Sequence, residues 1–228
     1  MHRFADRVVI ALGGSVIHPN RIDVVLIKRF RSLLAPFIKK RIRFVLVVGG
    51  GRLSRLLQEA VSKMRRISDK EKDWIGIQAT KVNAHLVHIA FGKLADPRIV
   101  EREDMLRSLR YPVTIASGWK PGWSTDYVAV RIADLLRVHE VVVAGKPAYV
   151  YDRDPKHKKA KPLPELSWRA YTALVPRKWH PGLHAPVDPV AARLAKQKKI
   201  TAVVVYGKDL ANFARLLKGK KFKGTIVR

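Results

Sequence analysis

Two kinds of apolar pattern alternate along the chain. Short runs that are apolar at nearly every position predict strands buried on both faces, and they occupy residues 7–12, 44–48, 111–116, 140–144 and 200–205. Segments with apolar residues at three- and four-residue steps predict amphipathic helices, and they occupy residues 22–40, 51–66, 72–94, 124–137, 188–199 and 208–219. Because strands and helices alternate, we expect an α/β fold with a largely parallel sheet and helices on both faces.

Two segments carry neither pattern. Residues 151–165, "YDRDPKHKKAKPLPE", are mostly polar and predict a surface loop between the two halves of the chain. Residues 179–189, "WHPGLHAPVDP", contain three prolines and predict a rigid surface loop, to which we assign no chemistry. We find no internal repeat.

The charge is far from balance. The chain has 46 Lys and Arg residues against 18 Asp and Glu residues, a formal net charge of +28 and an isoelectric point near 10.9. Such a field attracts nucleotides, nucleic acid and anionic lipid alike. The cations are spread through the predicted helices, so two classes stay open: a phosphate-handling enzyme or a nucleic-acid-binding protein. A general adaptation of the host proteome is a third explanation of the charge.

Composition excludes several other classes. The chain has no cysteine, which rules out disulfides and thiolate metal sites, and its eight histidines show no metal-ligand spacing. We therefore expect no structural metal. No apolar run reaches the roughly 18 residues that a membrane span needs, and the first residues do not predict a secretory signal. These patterns predict a cytoplasmic protein without membrane contact.

Two glycine clusters lie between a predicted strand and a predicted helix. The first is "ALGGS", with Gly13, Gly14 and Ser15, and the second is "VVGGGRLSR", which contains Gly49 to Gly51 and Arg55. Glycine lets backbone N–H groups approach an anion, and the helix start adds partial positive charge, so both clusters predict phosphate cradles. The alternative is that these glycines only serve the turn between strand and helix. Neither cluster is a Walker loop or a G-x-G-x-x-G motif.

A third cluster, "SGWKPGWSTDYVAV", follows the strand at 111–116. Ser124, Thr125 and Asp126 are good residues for a helix N-terminus, so a capped helix after a tight turn explains them. The functional alternative is a further anion site, formed by Lys120, the loop amides and the two hydroxyl groups.

These clusters, taken in order, resemble the amino acid kinase family and, within it, the archaeal-type UMP kinases (uridylate kinases). The resemblance covers nearly the whole chain through the segments "GGSV", "VVGGGRLSR", "KDWIGIQATKVNAHLV", "KPGWSTDYVAV", "VYDRDP" and "VDPVAARLA". It implies a single domain over residues 1–228 with a three-layer αβα sandwich. It also implies transfer of the ATP γ-phosphoryl group to UMP, with Mg²⁺ accompanying ATP, and assembly into hexamers.

The resemblance also implies residue roles. The half up to about residue 140 would carry mainly the UMP site and the rest mainly the ATP site. The residues implied in UMP binding are Gly50, Asp73, Lys120, Gly122, Ser124, Thr125 and Asp126. Those implied in ATP binding are Gly13, Gly14, Ser15, Gly51, Arg55, Gly145, Lys146, Tyr151 and Asp154. The cations expected to act in catalysis are Arg55, Lys120 and Lys146.

The chain departs from the family pattern at two places. Many relatives have a lysine where this chain has Ala11, and the family's polar Thr-Asn-Val-Asp appears here as "GKPA" at 145–148. Lys146 is then either a replacement cation or a solvated surface lysine. The alternative to a working kinase is a catalytically weakened kinase-fold protein that binds nucleic acid, which "KHKKAK" and "KGKKFKGTIVR" favour, or another anionic ligand. Another member of the family acting on a different small phosphate or carboxylate is the remaining possibility.

Overall fold

The computed structural model describes residues 4, 6–106, 108–176, 178 and 185–228. Within these residues the strands are β1 Arg7–Leu12, β2 Arg43–Val48, β3 Val113–Ala116, β4 Glu140–Gly145, β5 Val150–Tyr151, β6 Pro162–Leu163, β7 Glu165–Leu166, β8 Thr201–Tyr206 and β9 Thr225–Val227. The helices are α1 Gly14–Ile17, α2 Val24–Lys39, α3 Gly51–Met64, α4 Asp69–Phe91, α5 Thr125–Leu135, α6 Trp168–Leu174, α7 Pro189–Lys198 and α8 Leu210–Leu217. Two short 3-10 helices span Gly92–Leu94 and Glu103–Met105.

Seven strands form the main sheet, in the order β3-β2-β1-β4-β8-β9-β7. The five from β3 to β8 are parallel, β9 runs antiparallel to β8, and β7 pairs parallel with β9. Strand β2 lies on one side of β1 and β4 lies on the other, so the strand order reverses at β1. Such a reversal opens a crevice at the carboxyl ends of the two central strands, where α/β folds bind ligands.

The sheet separates two apolar cores. On one face, alternate residues of β1 such as Val8 and Ile10 pack against α2, α4 and α8. On the other face, Val9 and Ala11 pack against α5, α6 and α7. The predicted α/β class and its three-layer αβα arrangement are therefore confirmed. The five predicted buried strands correspond to β1, β2, β3, β4 and β8, which lie between the helix layers.

The helices begin where the sequence offers capping residues. Ser68 and Glu71 form a capping box at the start of α4, and Ser124 accepts the Tyr127 amide at the start of α5. Asp188 caps α7, whose first residue is Pro189. These short polar side chains accept amide hydrogens that have no partner within the helix.

The prediction of a loop over 151–165 was wrong in part. β5 and β6 pair antiparallel across this segment, and β7 joins the main sheet at its end. The residues between β5 and β6 form the exposed tip of that hairpin. Strands of two residues are too short to show an alternating pattern, which is why the sequence did not indicate them. Much of the predicted proline-rich loop, residues 179–184, lies outside the described residues.

Candidate active site

The loops at the carboxyl ends of β1, β2 and β4 are joined by backbone hydrogen bonds. The Gly13 amide donates to the Ala144 carbonyl at 2.9 Å, and the Gly49 amide donates to the Leu12 carbonyl at 3.0 Å. The Gly207 amide, after β8, donates to the Gly145 carbonyl at 2.9 Å. Both predicted glycine clusters and the altered 145–148 segment therefore share one edge of the sheet.

The two glycine clusters pack against each other, backbone on backbone. A Cβ added at Gly14 would lie 2.0 Å from the Gly51 nitrogen, and one added at Gly49 would lie 2.5 Å from the Gly14 nitrogen. Gly51 also has φ +62°, a conformation that side chains rarely adopt. The glycines thus allow a close approach between two loops, a reason that was not among the sequence hypotheses. This approach brings the first amides of α1 and α3 to one place, and early helix amides lack carbonyl partners within their helices.

One polar face of α4 holds two loops in position. Asp73 accepts the Gly122 amide at 2.6 Å, and Thr80 accepts the Gly118 amide at 2.8 Å. Asn83, which is fully buried, donates to the carbonyls of Gly49 and Gly50, both at 2.9 Å. Helix α4 therefore fixes the second glycine loop relative to the predicted loop at 117–126. Sequence reasoning identified Asp73 and missed Thr80 and Asn83, although their spacing places all three on one face of the helix.

Asp73 lies at the junction of α4 and the 117–126 loop. Burial raises the pKa of its carboxyl group, and the hydrogen bond from the Gly122 amide partly offsets that effect. Gly122 itself has φ +84°, which a turn with glycine at this position requires. Asp73 and the "KPGWSTD" loop, which the resemblance assigns separately to UMP, are thus hydrogen-bonded to each other in the fold.

A pair of carboxyl groups lies where α5 and α7 begin. The Ser124 hydroxyl donates to one oxygen of Asp188, whose other oxygen accepts the amides of Val190 at 2.8 Å and Ala191 at 3.1 Å. Burial, together with the neighbouring charge of Asp188, raises the pKa of Asp126 to about 8. Burial also raises the pKa of Asp188. The pair therefore retains a proton near neutral pH, since two close, buried carboxylates do not both ionise.

Stability should fall with rising pH because of this pair. The folded protein keeps a proton that the unfolded chain, with an ordinary Asp pKa of 3.8, has released. Unfolding free energy should therefore decrease as pH rises from about 4 to about 8, by a few kcal/mol, and then level off. Asp126→Asn should remove most of this slope in denaturation curves recorded at pH 5, 6.5 and 8. Asp152→Asn, on the exposed hairpin, should leave the slope in place, and an unchanged slope in Asp126→Asn would contradict the assignment.

Asp188 was not among the predicted site residues, although the resemblance included its segment "VDPVAARLA". Its acid-proline pair was interpretable only as a helix start, and its partner Ser124 lies 64 residues away along the chain. Only the packing of α5 beside α7 brings the two together.

The three predicted catalytic cations have different surroundings. Arg55 is half-buried in α3, and burial, followed by the charge of Arg52, lowers the pKa of its guanidinium group. Among the described residues it forms no salt bridge. The Lys120 ammonium lies 3.9 Å from the ring centre of Trp123 and is largely exposed. Lys146 is exposed directly after β4.

The two residues predicted for the ATP base and ribose lie on the β5–β6 hairpin. Tyr151 ends β5 and packs edge-on against Tyr149, with ring centres 6.3 Å apart. Asp154 is exposed in the hairpin turn, where its carboxylate accepts the Lys156 amide at 2.9 Å. Neither residue makes a recorded bond to the glycine loops among the described residues.

The described part of the chain contains no group of three or more His, Asp and Glu side chains arranged to hold a metal ion. No helix within it has the length and apolar character that crossing a bilayer requires.

Comparison with known proteins decides the family. The profile of the amino acid kinase family matches residues 6–206. The chain belongs to the amino acid kinase family. Its glycine loops, α4 and the 117–126 loop all lie within the matched region.

Relatives within the amino acid kinase family match this chain from end to end. A uridylate kinase of Methanothrix thermoacetophila is 34% identical over 227 residues, covering 97% of this chain and 99% of the relative. A uridylate kinase of Hyperthermus butylicus is 30% identical, covering 96% and 97%. The crystal structure of uridylate kinase from Archaeoglobus fulgidus superimposes with a TM-score of 0.81 at 28% identity, covering 97% of this chain and 99% of that one.

Proposed function

We propose that the protein is a UMP kinase of pyrimidine nucleotide synthesis, which transfers the γ-phosphoryl group of ATP to UMP and forms UDP and ADP. The observation that carries the proposal is full-length similarity to uridylate kinases, extending through the segments that α4 holds together. We propose that the reaction takes place in the cytoplasm, where the enzyme would encounter both ATP and UMP.

The acceptor site lies between α4 and the 117–126 loop. One oxygen of Asp73 is engaged by Gly122, which leaves the other available to a ribose hydroxyl group of UMP. We assign the UMP phosphate to Gly50 and to the cations near it. The remaining proposed UMP contacts come from the loop and the start of α5, at Lys120, Gly122, Ser124, Thr125 and Asp126.

The donor site lies on the other side of the crevice, toward β4. The amides of Gly13, Gly14 and Ser15, with Gly51 and Arg55, are proposed to bind the ATP phosphates. Gly145 and Lys146 follow β4 at the same edge, and Tyr151 and Asp154 are proposed to meet the base and ribose. The half of the chain up to about residue 140 would thus bind mainly UMP, and the half after it would bind mainly the nucleoside portion of ATP.

Phosphoryl transfer needs positioning and charge stabilisation rather than a general base. The closely packed glycine loops would hold the two phosphate chains end to end, and Arg55 would stabilise the charge on the transferring group. Lys120 would leave the Trp123 ring to reach the substrate, and Lys146 would approach from β4. Lys146 is the only cation in the altered "GKPA" segment, so it takes the place of the polar residues lost there.

Mg²⁺ fits this site as a partner of ATP rather than as a resident metal. The described residues offer no three-ligand group, and the arrangement at the edge is built from amides and cations. Mg²⁺ commonly keeps several waters and binds substrate phosphates, so the ATP phosphate oxygens would hold it. When bound, it would neutralise part of the phosphate charge.

The α3–α4 surface is the proposed contact between copies in a hexamer. Helix α3 buries no residue within one chain, although it is strongly amphipathic. Its exposed Leu57 and Met64 lie on the same helix pair as the exposed Trp74, Val82 and Ile89 of α4. Exposed apolar side chains on a pair of packed helices favour an association surface. With the hexamer that the resemblance implies, the mass measured in solution should be six times that of one chain.

The direct test is a comparison of acceptors. ADP release from ATP and Mg²⁺ would be measured with UMP, CMP, AMP and GMP under identical conditions. We expect UMP to exceed the other acceptors by about 100-fold or more in kcat/KM, because a site that hydrogen-bonds its substrate rejects analogues strongly. Equal rates with all four, or none with UMP, would contradict the proposal.

Asp73→Asn should weaken the acceptor site specifically. Asparagine keeps the bond from the Gly122 amide but loses the charge that strengthens a hydrogen bond to ribose. We expect KM for UMP to rise about tenfold, equivalent to roughly 1.4 kcal/mol, with kcat and KM for ATP within a few-fold. Asp69→Asn, an exposed position in the first turn of the same helix, is the matched control. An unchanged KM for UMP in Asp73→Asn would remove Asp73 from the site.

A further inference from the structure

Helices α2 and α8 form a basic face remote from the glycine loops. We define the basic face as the exposed cations of α2, of the turn after it, of α8 and of the segment that follows α8. They are Lys28, Arg29, Arg31, Lys39, Lys40, Arg41, Arg43, Arg215, Lys218, Lys220, Lys221 and Lys223. All of them lie in stretches that the structure describes completely.

The two helices of the basic face are direct neighbours. Their ring contact, Phe30 against Phe213, has centroids 5.5 Å apart in an edge-on arrangement. At the start of the helices, the Lys208 ammonium bonds the Asp23 carboxylate at 2.8 Å. Phe222 packs against the same core, so the segment after α8 lies on this side of the sheet. The cations of both helices therefore belong to one continuous surface.

The stretches that carry the basic face contain no acidic residue. Residues 24–58 and 210–228 have no Asp or Glu. Elsewhere several acids are paired with cations, as in Glu101 with Lys81 and Glu103 with Arg131. The cations of α2, α8 and the segments after them therefore have no acidic neighbour in their own stretches of chain.

We propose that the basic face binds the phosphate backbone of a nucleic-acid duplex without reading its sequence. Lys28 and Lys39 lie about 16 Å apart along α2. Helix α8 adds a second row of cations, at the roughly 8–10 Å that separate the axes of two packed helices. A duplex presents closely spaced phosphates over this length, and lysine and arginine bind them by releasing counterions. The inference does not depend on the proposed kinase reaction.

Other anionic partners fit the basic face less well. A single strand needs exposed aromatic rings for base stacking, whereas Phe30, Phe37 and Phe213 are buried in the core. A lipid surface would need apolar side chains to insert, and the apolar stripe of α2 already packs on the sheet. The exposed large hydrophobic residues of α2 are Val24 and Val25, which lie in its first turn, away from most of the cations.

One end of the basic face is separated from the active site. Helix α2 runs from the loops after β1 back to the start of β2, so Lys39 to Arg43 lie at the opposite edge of the sheet from the glycine loops. Helix α8 follows β8 in the same way, so Lys218 to Lys221 lie toward that edge as well. Cations at this end can therefore be removed without altering the residues assigned to UMP or ATP.

The test compares two variants that lose the same number of charges. The face variant is Lys39→Gln, Lys40→Gln, Lys218→Gln, Lys220→Gln and Lys221→Gln. The control variant is Lys156→Gln, Lys158→Gln, Lys159→Gln, Lys161→Gln and Lys196→Gln, all exposed and outside the face. Fluorescence anisotropy would measure binding to a labelled 20-base-pair RNA duplex and DNA duplex over a salt series, and to vesicles containing anionic lipid. Kinase assays and melting curves would verify that both variants are folded.

We expect the wild type and the control variant to bind a duplex, and the face variant to bind at least tenfold more weakly near 100 mM salt. The slope of log K against log salt should fall by about two or more units in the face variant, since each lost phosphate contact removes about 0.9. The duplex that binds with the higher affinity, RNA or DNA, identifies the kind of nucleic acid that the basic face prefers. Equal losses in the two variants, absence of duplex binding by the wild type, or binding to vesicles alone would overturn the proposal.

Discussion

Replacing Gly14 by alanine is expected to lower phosphoryl transfer by about 100-fold or more and to destabilise the fold. The new Cβ would lie 2.0 Å from the Gly51 nitrogen and 2.6 Å from the Gly49 carbonyl oxygen. Both neighbours are backbone atoms held at strand ends, so the two loops must separate. A displacement of about 1 Å at a reacting centre costs on the order of 100-fold in rate, and overpacking costs about 1–3 kcal/mol or more. Steady-state kinetics and thermal denaturation measure the two effects.

Gly145→Ala is the matched control for the stability effect. Gly145 lies at the same edge of the sheet, and a Cβ there would meet only the Pro147 ring, at 3.6 Å, an ordinary contact distance. Its melting temperature should therefore stay close to that of the wild type. If Gly14→Ala melts like Gly145→Ala and keeps full turnover, the close packing of the loops does not matter for catalysis.

The sheet was largely predictable because burial on both faces leaves an unbroken apolar run. The strand predicted over 7–12 and β1 coincide, and the runs at 44–48 and 140–144 match β2 and β4 within one residue. Helix α6 and strand β9 were not predicted, although α6 supplies the buried Trp168 and Tyr171. They have seven and three residues, too few to display a period. Their positions are set by contacts with distant segments rather than by local pattern.

The loops of the candidate site could be predicted from the sequence, but the hydrogen bonds that join these loops to α4 could not. Glycines between strand and helix, and the acid of "KDWIG", are visible locally and favoured a phosphate site. The hydrogen bonds from Asn83 to the carbonyls of Gly49 and Gly50 span 34 and 33 residues, so no local signal identifies them. Asn83 is a buried polar residue whose burial becomes apparent only when α4 packs on the second loop.

Ala11, one of the two departures from the family pattern, is buried in the sheet. It pairs with Val47 and Val143, in the core that also contains Val128 and Val187. An apolar side chain therefore occupies this position of β1, and the proposed cations of the site come from α3, from the loop before α5 and from the segment after β4.

Arg55→Ala should lower kcat by about 100- to 1,000-fold while the fold is retained. The guanidinium group is half-buried beside Arg52 and, among the described residues, has no acidic partner, so its charge is available to an anion. Removing one preorganised donor from a transferring group typically costs that much. Because the interaction would strengthen in the transition state, KM for either nucleotide should change less than kcat.

Two further variants separate charge from geometry at Arg55. Arg55→Lys keeps the charge but loses the planar fork that binds two phosphate oxygens, so we expect it to recover only part of the lost rate. Lys63→Ala, on an exposed turn of the same helix where Lys63 pairs with Glu59, should show wild-type kinetics. Circular dichroism and melting curves would establish that all three variants are folded. Wild-type turnover in Arg55→Ala would mean that the glycine-loop amides and the lysines, without this guanidinium group, stabilise the transferring phosphoryl group.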